Sequence, residues 1–342
     1  MNNVNRYAFI NAKIHGIYAR SFLGDNFHKL ASISNLKELS SHLFPDIKTV
    51  AINTSLHRFL QQKVFDYIHN QISLVFKYFE KQQILLKRII GRFEIDNLKQ
   101  IIRIYNSEYL EKPFFYDIKD YFEIDKKILQ TLDLTKKENL FLLFKNTKYE
   151  FINELIMQNK SIFEIENKID IFYYQQLING LKGLNRIEKK VLKSLIIQEI
   201  NWQNITWAFR LKQFYAESFE NSSQYFINQK LALPVELFSD IFFYSGEMDF
   251  KKIFKKWPSF YTDKIISVLD EYGEVKIHKL ESIASEYINQ KYYHLFYTNP
   301  FTLLPLVAFI YLKRKELNSI IALIEALRYN ISKEILYKSL GY

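Results

Sequence analysis

The chain contains no cysteine, and it has only six prolines and eight glycines among its 342 residues. Without cysteine it can form neither disulfide bonds nor thiolate metal sites, and this composition suits a reducing cytosol. Because proline and glycine are the residues that most readily interrupt a helix, few positions can do so here. The composition therefore favours long helices.

Long apolar runs are also missing. The most apolar segment, 301–312, has 12 residues and contains Pro305. As a helix it would be ~18 Å long, well short of the ~30 Å hydrocarbon core of a bilayer. The first seven residues lack the apolar core of a signal peptide. We expect no membrane span, and we predict that this segment is a buried helix.

Motifs for catalysis are sparse. The sequence has no P-loop and no Gly-x-Ser-x-Gly nucleophile motif. No two of its seven histidines are three or four residues apart, so no helix can present a pair of imidazole ligands. Neighbouring carboxylates such as Glu164 and Glu166 do not form an aspartate-rich metal motif. We expect a protein without catalytic activity, metal or other cofactor; an all-α enzyme is one alternative.

What the sequence does contain is a segment that recurs three times. In each copy two polar residues three apart are followed by apolar residues at positions +4, +7 and +8 from the first. The polar pairs are Glu94 with Asn97, Asn201 with Asn204, and Glu316 with Ser319. This spacing places all five residues of a copy on one face of an α-helix.

Other features recur in step with the copies. Glu166 and Glu281 each stand 38 residues before the second polar residue of the following copy. An apolar pair opens each unit: Leu36 and Leu39, Leu140 and Leu143, and Phe250 and Ile253. The copies themselves are 107 and 115 residues apart, which is too far for a solenoid. We predict three similar all-helical units, residues 1–112, 113–233 and 234–342, with boundaries supported by Pro113 and Pro234.

The recurring polar residues have two interpretations. We predict that they are structural residues inside each unit, where buried side chains satisfy backbone groups between crossing helices. The alternative is that they line a binding surface, but Glu325 in the third copy replaces the arginine of the first two, which argues against a shared ligand site. The set comprises Glu94, Asn97, Arg103, Glu166, Asn204, Arg210, Glu281, Glu316 and Ser319.

The net charge of +10 favours an acidic partner, such as nucleic acid, an anionic membrane surface or an acidic protein face. Two basic clusters are candidates for contacting it: Lys251, Lys252, Lys255 and Lys256, and Lys313, Arg314 and Lys315. Aromatic residues make up 17% of the chain, and a basic nucleic-acid-binding protein is therefore an alternative. Helical spacing instead predicts core packing for Phe65, Ile68, Ile72, Phe76 and Phe79.

The order of these segments resembles a known family. The segments are Tyr7 to Leu23, Ile165 to Tyr174, Asn204 to Lys212, Pro305 to Glu316 and Ile331 to Ile335. Together with the three copies they resemble the C-type stalk protein of the V/A-type rotary ATPases, called d in the eukaryotic enzyme. Ser319 and Glu325 depart from the family pattern, and Asn330 stands where the family often has glycine at the end of the last helix. Asparagine tolerates a left-handed cap almost as well as glycine does.

The resemblance implies an architecture and a role. It implies a funnel of three helical domains about a pseudo-threefold axis, set between the central shaft subunits D and F and the membrane rotor ring of c/K subunits. Such a stalk protein is non-catalytic, and it transmits torque during ion transport or ATP synthesis. We expect it to be cytoplasmic and peripheral on the inner face of the cell membrane, near an anionic surface, without cofactor or nucleic acid.

Overall fold

The computed structural model describes residues 3–45, 56–76, 78, 83–106, 114–116, 122–124, 126–246 and 249–340. It is 74% helical, and its described residues contain no strand, only an isolated bridge between Leu269 and Val275. The all-α prediction is therefore confirmed. Contacts divide the chain into a larger unit, Met1–Leu184 with Leu295–Leu336, and a smaller unit, Asn185–His294 with Tyr337–Tyr342. The threefold division and the funnel stay predictions.

The larger unit is built around two closely packed helix pairs, α5 with α9 and α4 with α16. Its helices are α1 (Asn3–Tyr18), α2 (Asp25–Ala31), α3 (Leu36–Leu43), α4 (Leu56–Phe76), α5 (Gln83–Tyr105), α6 (Lys126–Thr131), α7 (Lys137–Phe144), α8 (Phe151–Met157), α9 (Ile162–Gly180) and α16 (Leu304–Tyr329). A short 3-10 turn, Leu181–Gly183, follows α9.

The smaller unit begins with the longest of the described helices, α10 (Arg186–Tyr215). It continues with α11 (Phe219–Ser222), α12 (Ser239–Phe243), α13 (Phe250–Ile253) and α14 (Ser259–Ile266), and with most of α15 (Ile277–Phe296). Two 3-10 turns, Ser223–Tyr225 and Val235–Phe238, lie between these elements. The last helix, α17 (Lys333–Leu340), contributes residues to both units.

Local sequence explains where several helices begin. Asn35, Ser161 and Asn185 precede α3, α9 and α10, and each accepts a hydrogen bond from the backbone N–H three residues later. Ser161 forms a complete capping box with Glu164. Such side chains satisfy backbone donors that have no partner within the helix.

Helix α16 follows the sequence expectations at both ends. Pro305 lies in its first turn, where the missing N–H of proline costs no helical hydrogen bond. The run 301–312 was predicted to be a buried helix, and its part within α16 is buried except for Tyr311. At the other end Asn330 adopts the left-handed conformation, with φ 54°, which confirms the predicted cap.

The prolines do not end the repeat helices as expected. Helix α10 ends at Tyr215, where Ala216 takes the left-handed conformation with φ 49°. Pro234 lies 19 residues later and precedes a 3-10 turn, so it starts an element instead of stopping one. Pro113 lies outside the described residues.

The predicted single-face pattern is confirmed. The three copies fall on α5, α10 and α16, and every polar and apolar position of the pattern is buried. Phe65, Ile68, Ile72 and Phe76 are buried along α4 as predicted, while Phe79 lies outside the described residues. Among the described residues, no helix combines the length and the apolar character needed to cross a bilayer.

Candidate functional site

The first repeat copy places a buried carboxylate, Glu94, against the segment that leads to the next repeat. One of its oxygens accepts the backbone N–H groups of Glu123 (2.6 Å) and Ile124 (3.2 Å). The other accepts the hydroxyl of Tyr149 and lies 3.1 Å from Nζ of Lys148. Burial, and then the Glu94 charge, raise the pKa of Tyr149 well above its ordinary value, so its hydroxyl keeps its proton and remains a donor.

Asn97, one turn further along α5, forms a closed pair of hydrogen bonds with one backbone residue. Its Nδ2 donates to the carbonyl of Tyr116 (2.8 Å), and its Oδ1 accepts the N–H of Tyr116 (2.9 Å). The Asn97 side chain and the Tyr116 backbone are buried, so this amide replaces the water that both backbone groups would otherwise need.

The second copy repeats this geometry on α10. Asn204 is fully buried, and it binds the backbone of Ile227 through both its oxygen (2.9 Å) and its nitrogen (3.1 Å). Asn201 takes the place of Glu94: its oxygen accepts the N–H of Leu233 (2.8 Å), and its nitrogen donates to the hydroxyl of Tyr261 (2.9 Å). Both copies therefore bind a later connecting segment together with a tyrosine hydroxyl.

The third copy uses the start of the chain instead of a later segment. Glu316, on α16, accepts the backbone N–H of Phe22 (2.8 Å) and pairs with the ammonium of Lys313 (2.5 Å). Both charged side chains are completely buried. Burial lowers the pKa of Lys313, and Glu316 opposes that shift. Ser319 is also buried.

The residues six positions after the second polar residue also form equivalent contacts. Arg103 donates to both oxygens of Glu166, at 2.6 and 2.9 Å. Arg210 pairs with Glu281 in the same way, from the second copy to the equivalent helix. The sequence registers singled out these four residues, and the structure brings them together as two pairs.

The third copy closes this series on the first long helix. Glu325 occupies the position of the two arginines, and it accepts a hydrogen bond from Nε2 of Gln61 on α4 (2.5 Å). We call these helix contacts joints: the first is α5 with α9, the second α10 with α15, and the third α16 with α4. Each connects a helix that bears a repeat copy to the helix before the next copy, and the third returns to the beginning of the chain.

The first joint holds a charge network that the sequence analysis missed. The buried carboxylate of Asp170, on α9, lies 3.1 Å from Nη1 of Arg92 and 2.6 Å from Nζ of Lys99. Arg92 also pairs with Asp96, which lies 3.6 Å from Arg314 of α16. The three α5 residues follow helical spacing, but no sequence register relates them to Asp170.

The two basic clusters differ in exposure. Lys251, Lys252, Lys255 and Lys256 lie around α13, and all but the partly buried positions of that segment face solvent, these four lysines among them. Lys313 is buried and paired with Glu316, which removes it from the predicted basic surface. Arg314 is partly buried and close to Asp96, and Lys315 is partly buried as well. A surface role is therefore compatible with the first cluster and not with Lys313.

Taken together, these contacts hold helices and connecting segments in place. In the part of the chain that the structure describes, no group of three or more histidine, aspartate or glutamate side chains is arranged to hold a metal ion. The buried carboxylates Glu94, Asp170 and Glu316 are each bound by donors of the chain itself. Their chemistry suits mechanical connection.

Comparison with known proteins identifies a family. The family model for the ATP synthase (C/AC39) subunit matches residues 10–338, which span both compact units. No curated protein matches the chain significantly. The family match agrees with the resemblance recognised in the sequence.

Proposed function

The chain belongs to the ATP synthase (C/AC39) subunit family, and from this premise we propose that it is the central-stalk socket of a V/A-type rotary ATPase. The family is that of a non-catalytic component of these enzymes. The finer role we propose is to join the D–F central shaft to the membrane rotor ring and to transmit torque between them.

The observation that supports this most strongly is the extent of the family match. It covers residues 10–338, including all three repeat copies and all three joints, so the whole helical body is what the family has in common with this chain. A part that only transmits force needs a rigid, densely packed body more than it needs a reactive pocket.

The joints suit such a body. A torque applied to one helix is resisted where its neighbours are fixed by buried hydrogen bonds, because breaking one leaves an unpaired polar group. Asn97 and Asn204 each fix a connecting segment through two such bonds, and Glu316 fixes the segment at Phe22. We infer that these bonds keep the repeats in register under load.

The order of the joints supports the threefold arrangement that we propose. The first copy contacts the helix before the second copy, the second copy contacts the helix before the third, and the third copy contacts α4, before the first. Three equivalent contacts that return to their origin are what a closed ring of three similar repeats requires. The funnel shape and the three domains of residues 1–112, 113–233 and 234–342 are part of this proposal.

We propose a peripheral position on the cytoplasmic face of the membrane. The four exposed lysines around α13 suit the approach to an anionic headgroup layer or to an acidic partner face. The nucleic-acid alternative gains no comparable support, since the aromatic residues of α4 that motivated it are buried.

Co-purification tests the role. The tagged chain should retain the D–F shaft in solution, and in detergent it should retain the rotor ring in the same complex. A chain that binds neither would contradict the proposal.

A matched pair of variants then tests the basic surface. Replacing Lys251, Lys252, Lys255 and Lys256 with glutamine should weaken retention of one partner. Replacing Arg186, Lys189, Lys190 and Lys193 of α10 with glutamine removes the same charge elsewhere and should leave both partners bound. Equal losses in the two variants would show that net charge, and not this surface, is responsible.

A further inference from the structure

The three joints are equivalent in sequence but differ in packing. In the first and third joints the helix backbones approach closely, α5 against α9 and α16 against α4. In the second joint α10 and α15 make few close backbone contacts, and long side chains span the space between them. The tyrosine hydroxyls of α15 supply two of these links: Tyr287 donates to Gln198 (2.6 Å) and Tyr292 to Glu199 (2.5 Å).

The charged contacts differ in the same direction. In the first joint Asp170 is almost fully buried, with 3% of its side chain exposed, between Arg92 and Lys99. In the third joint Lys313 and Glu316 are wholly buried. In the second joint the side chains of Arg210 and Glu281 are 47% and 36% exposed. Solvent screens an ion pair of this kind, so it holds its helices weakly.

The second joint also contains a buried donor that is not satisfied. Trp202, on α10, packs against Phe260, Tyr261 and Tyr287. Within the described part of the chain, its buried Nε1 has no hydrogen-bond partner. Since nearly all buried donors in folded proteins are paired, an orphan N–H raises the free energy of the arrangement that contains it.

From this combination we propose that the second joint is a hinge within the smaller unit. Helix α15 moves relative to α10 between the arrangement described here and a second one in which the Trp202 indole N–H meets an acceptor. Exposed, long-reaching links can re-form after such a displacement, whereas the buried charges of the first and third joints cannot separate without losing their partners. The inference goes beyond the rotor role and does not depend on it.

Because the chain has no native cysteine, two introduced cysteines label a joint without any background. Ser194→Cys with Ser285→Cys places nitroxide labels on exposed positions of α10 and α15. Lys87→Cys with Gln175→Cys is the matched pair across α5 and α9, beside the contact of Arg88 with Gln176. Pulsed electron–electron resonance on the isolated full chain then gives the distance distribution of each joint.

The proposal predicts a second distance component for the α10–α15 pair, displaced by about 5 Å, the scale of one helical turn. It predicts a single narrow component for the α5–α9 pair. Trp202→Phe removes the orphan N–H and should shrink the second component, while Trp207→Phe, on the same helix, should leave it unchanged.

Two single components of equal width would overturn the proposal, as would a second component that Trp202→Phe does not alter. Hydrogen exchange on the unlabelled chain is an independent check, with amides of α15 expected to exchange about tenfold faster than those of α9. Equal protection of the two helices would also contradict the hinge. Binding of the shaft or ring is not measured, so failure of the rotor role would not affect these results.

Discussion

Arg103 holds Glu166 through two hydrogen bonds, of 2.6 and 2.9 Å, between residues 63 positions apart in the chain. Arg210 and Glu281 form the corresponding ion pair one repeat later. The arginine follows its copy by the same number of residues in both cases, so the two pairs are one contact made twice. This relationship connects each repeat to the next and leads to the predictions below.

The two buried asparagines should contribute strongly to stability. Asn97→Ala would leave the N–H and C=O of Tyr116 without partners, and Asn204→Ala would do the same to Ile227. Because each buried unpaired group costs about 1–3 kcal/mol, we expect each substitution to lower the free energy of unfolding by roughly 2–4 kcal/mol. Urea denaturation measures this directly.

The control for these variants is Asn289→Ala on α15, where the asparagine makes one exposed contact with Ser285. Its effect should stay within about 0.5 kcal/mol. If the Asn97 and Asn204 variants were as stable as the control but lost partner binding, the recurring asparagines would be a binding surface and our structural interpretation would be wrong.

The buried pair of Lys313 and Glu316 should respond asymmetrically to substitution. Lys313→Met leaves the Glu316 carboxylate buried with only the Phe22 N–H as a donor, and we expect a loss of about 3–5 kcal/mol. The double variant Lys313→Met with Glu316→Gln removes both charges and keeps an acceptor for Phe22. It should recover most of that loss in the same denaturation experiment; equal instability of the two variants would contradict this account.

The same pair predicts a pH dependence. Burial lowers the pKa of Lys313 below its ordinary value of 10.5, so the unfolded chain binds this proton more readily than the folded chain does. The Lys313 contribution to the free energy of unfolding should therefore rise with pH between the folded pKa and 10.5. Comparing wild type with Lys313→Met across the alkaline range should show this rise in wild type alone; parallel profiles would rule it out.

The first and second joints should differ in strength. Asp170→Asn leaves Arg92 and Lys99 facing a neutral, almost fully buried amide, and we expect a loss of about 3–5 kcal/mol. Glu281→Gln disrupts a largely exposed pair and should cost at most about 1 kcal/mol. Thermal or chemical unfolding of the two variants side by side tests this ranking, and the opposite order would refute it.

The end of α10 offers a stabilising substitution. Ala216 has φ 49°, a left-handed conformation that is unfavourable for a residue with a Cβ. Ala216→Gly relieves that strain and should raise the free energy of unfolding by about 0.5–1 kcal/mol. Asn330→Gly is the control at the end of α16, where asparagine already accepts this conformation, so its effect should be smaller. No gain in the Ala216 variant would contradict the prediction.

The repeat pattern predicted which residues of α5, α10 and α16 are buried, because helical spacing alone fixes the face on which they lie. It did not predict that Glu316 binds Phe22 or that Glu325 binds Gln61, since contacts 294 and 264 residues apart depend on how the helices assemble. The Arg103 and Glu166 registers were visible separately, but their pairing was not. Lys313 was misassigned to a basic surface because a cluster of charges in sequence does not reveal that one of them points inward.

The central claim is that this chain couples rotation to ion movement without catalysing a reaction. Reassembly of the rotary ATPase on ring-containing vesicles, with and without the purified chain, tests it most directly. We predict that the catalytic head hydrolyses ATP in both cases and that ATP-driven ion transport appears only when the chain is present. Equal ion transport without the chain, or loss of ATP hydrolysis by the isolated head, would contradict the account.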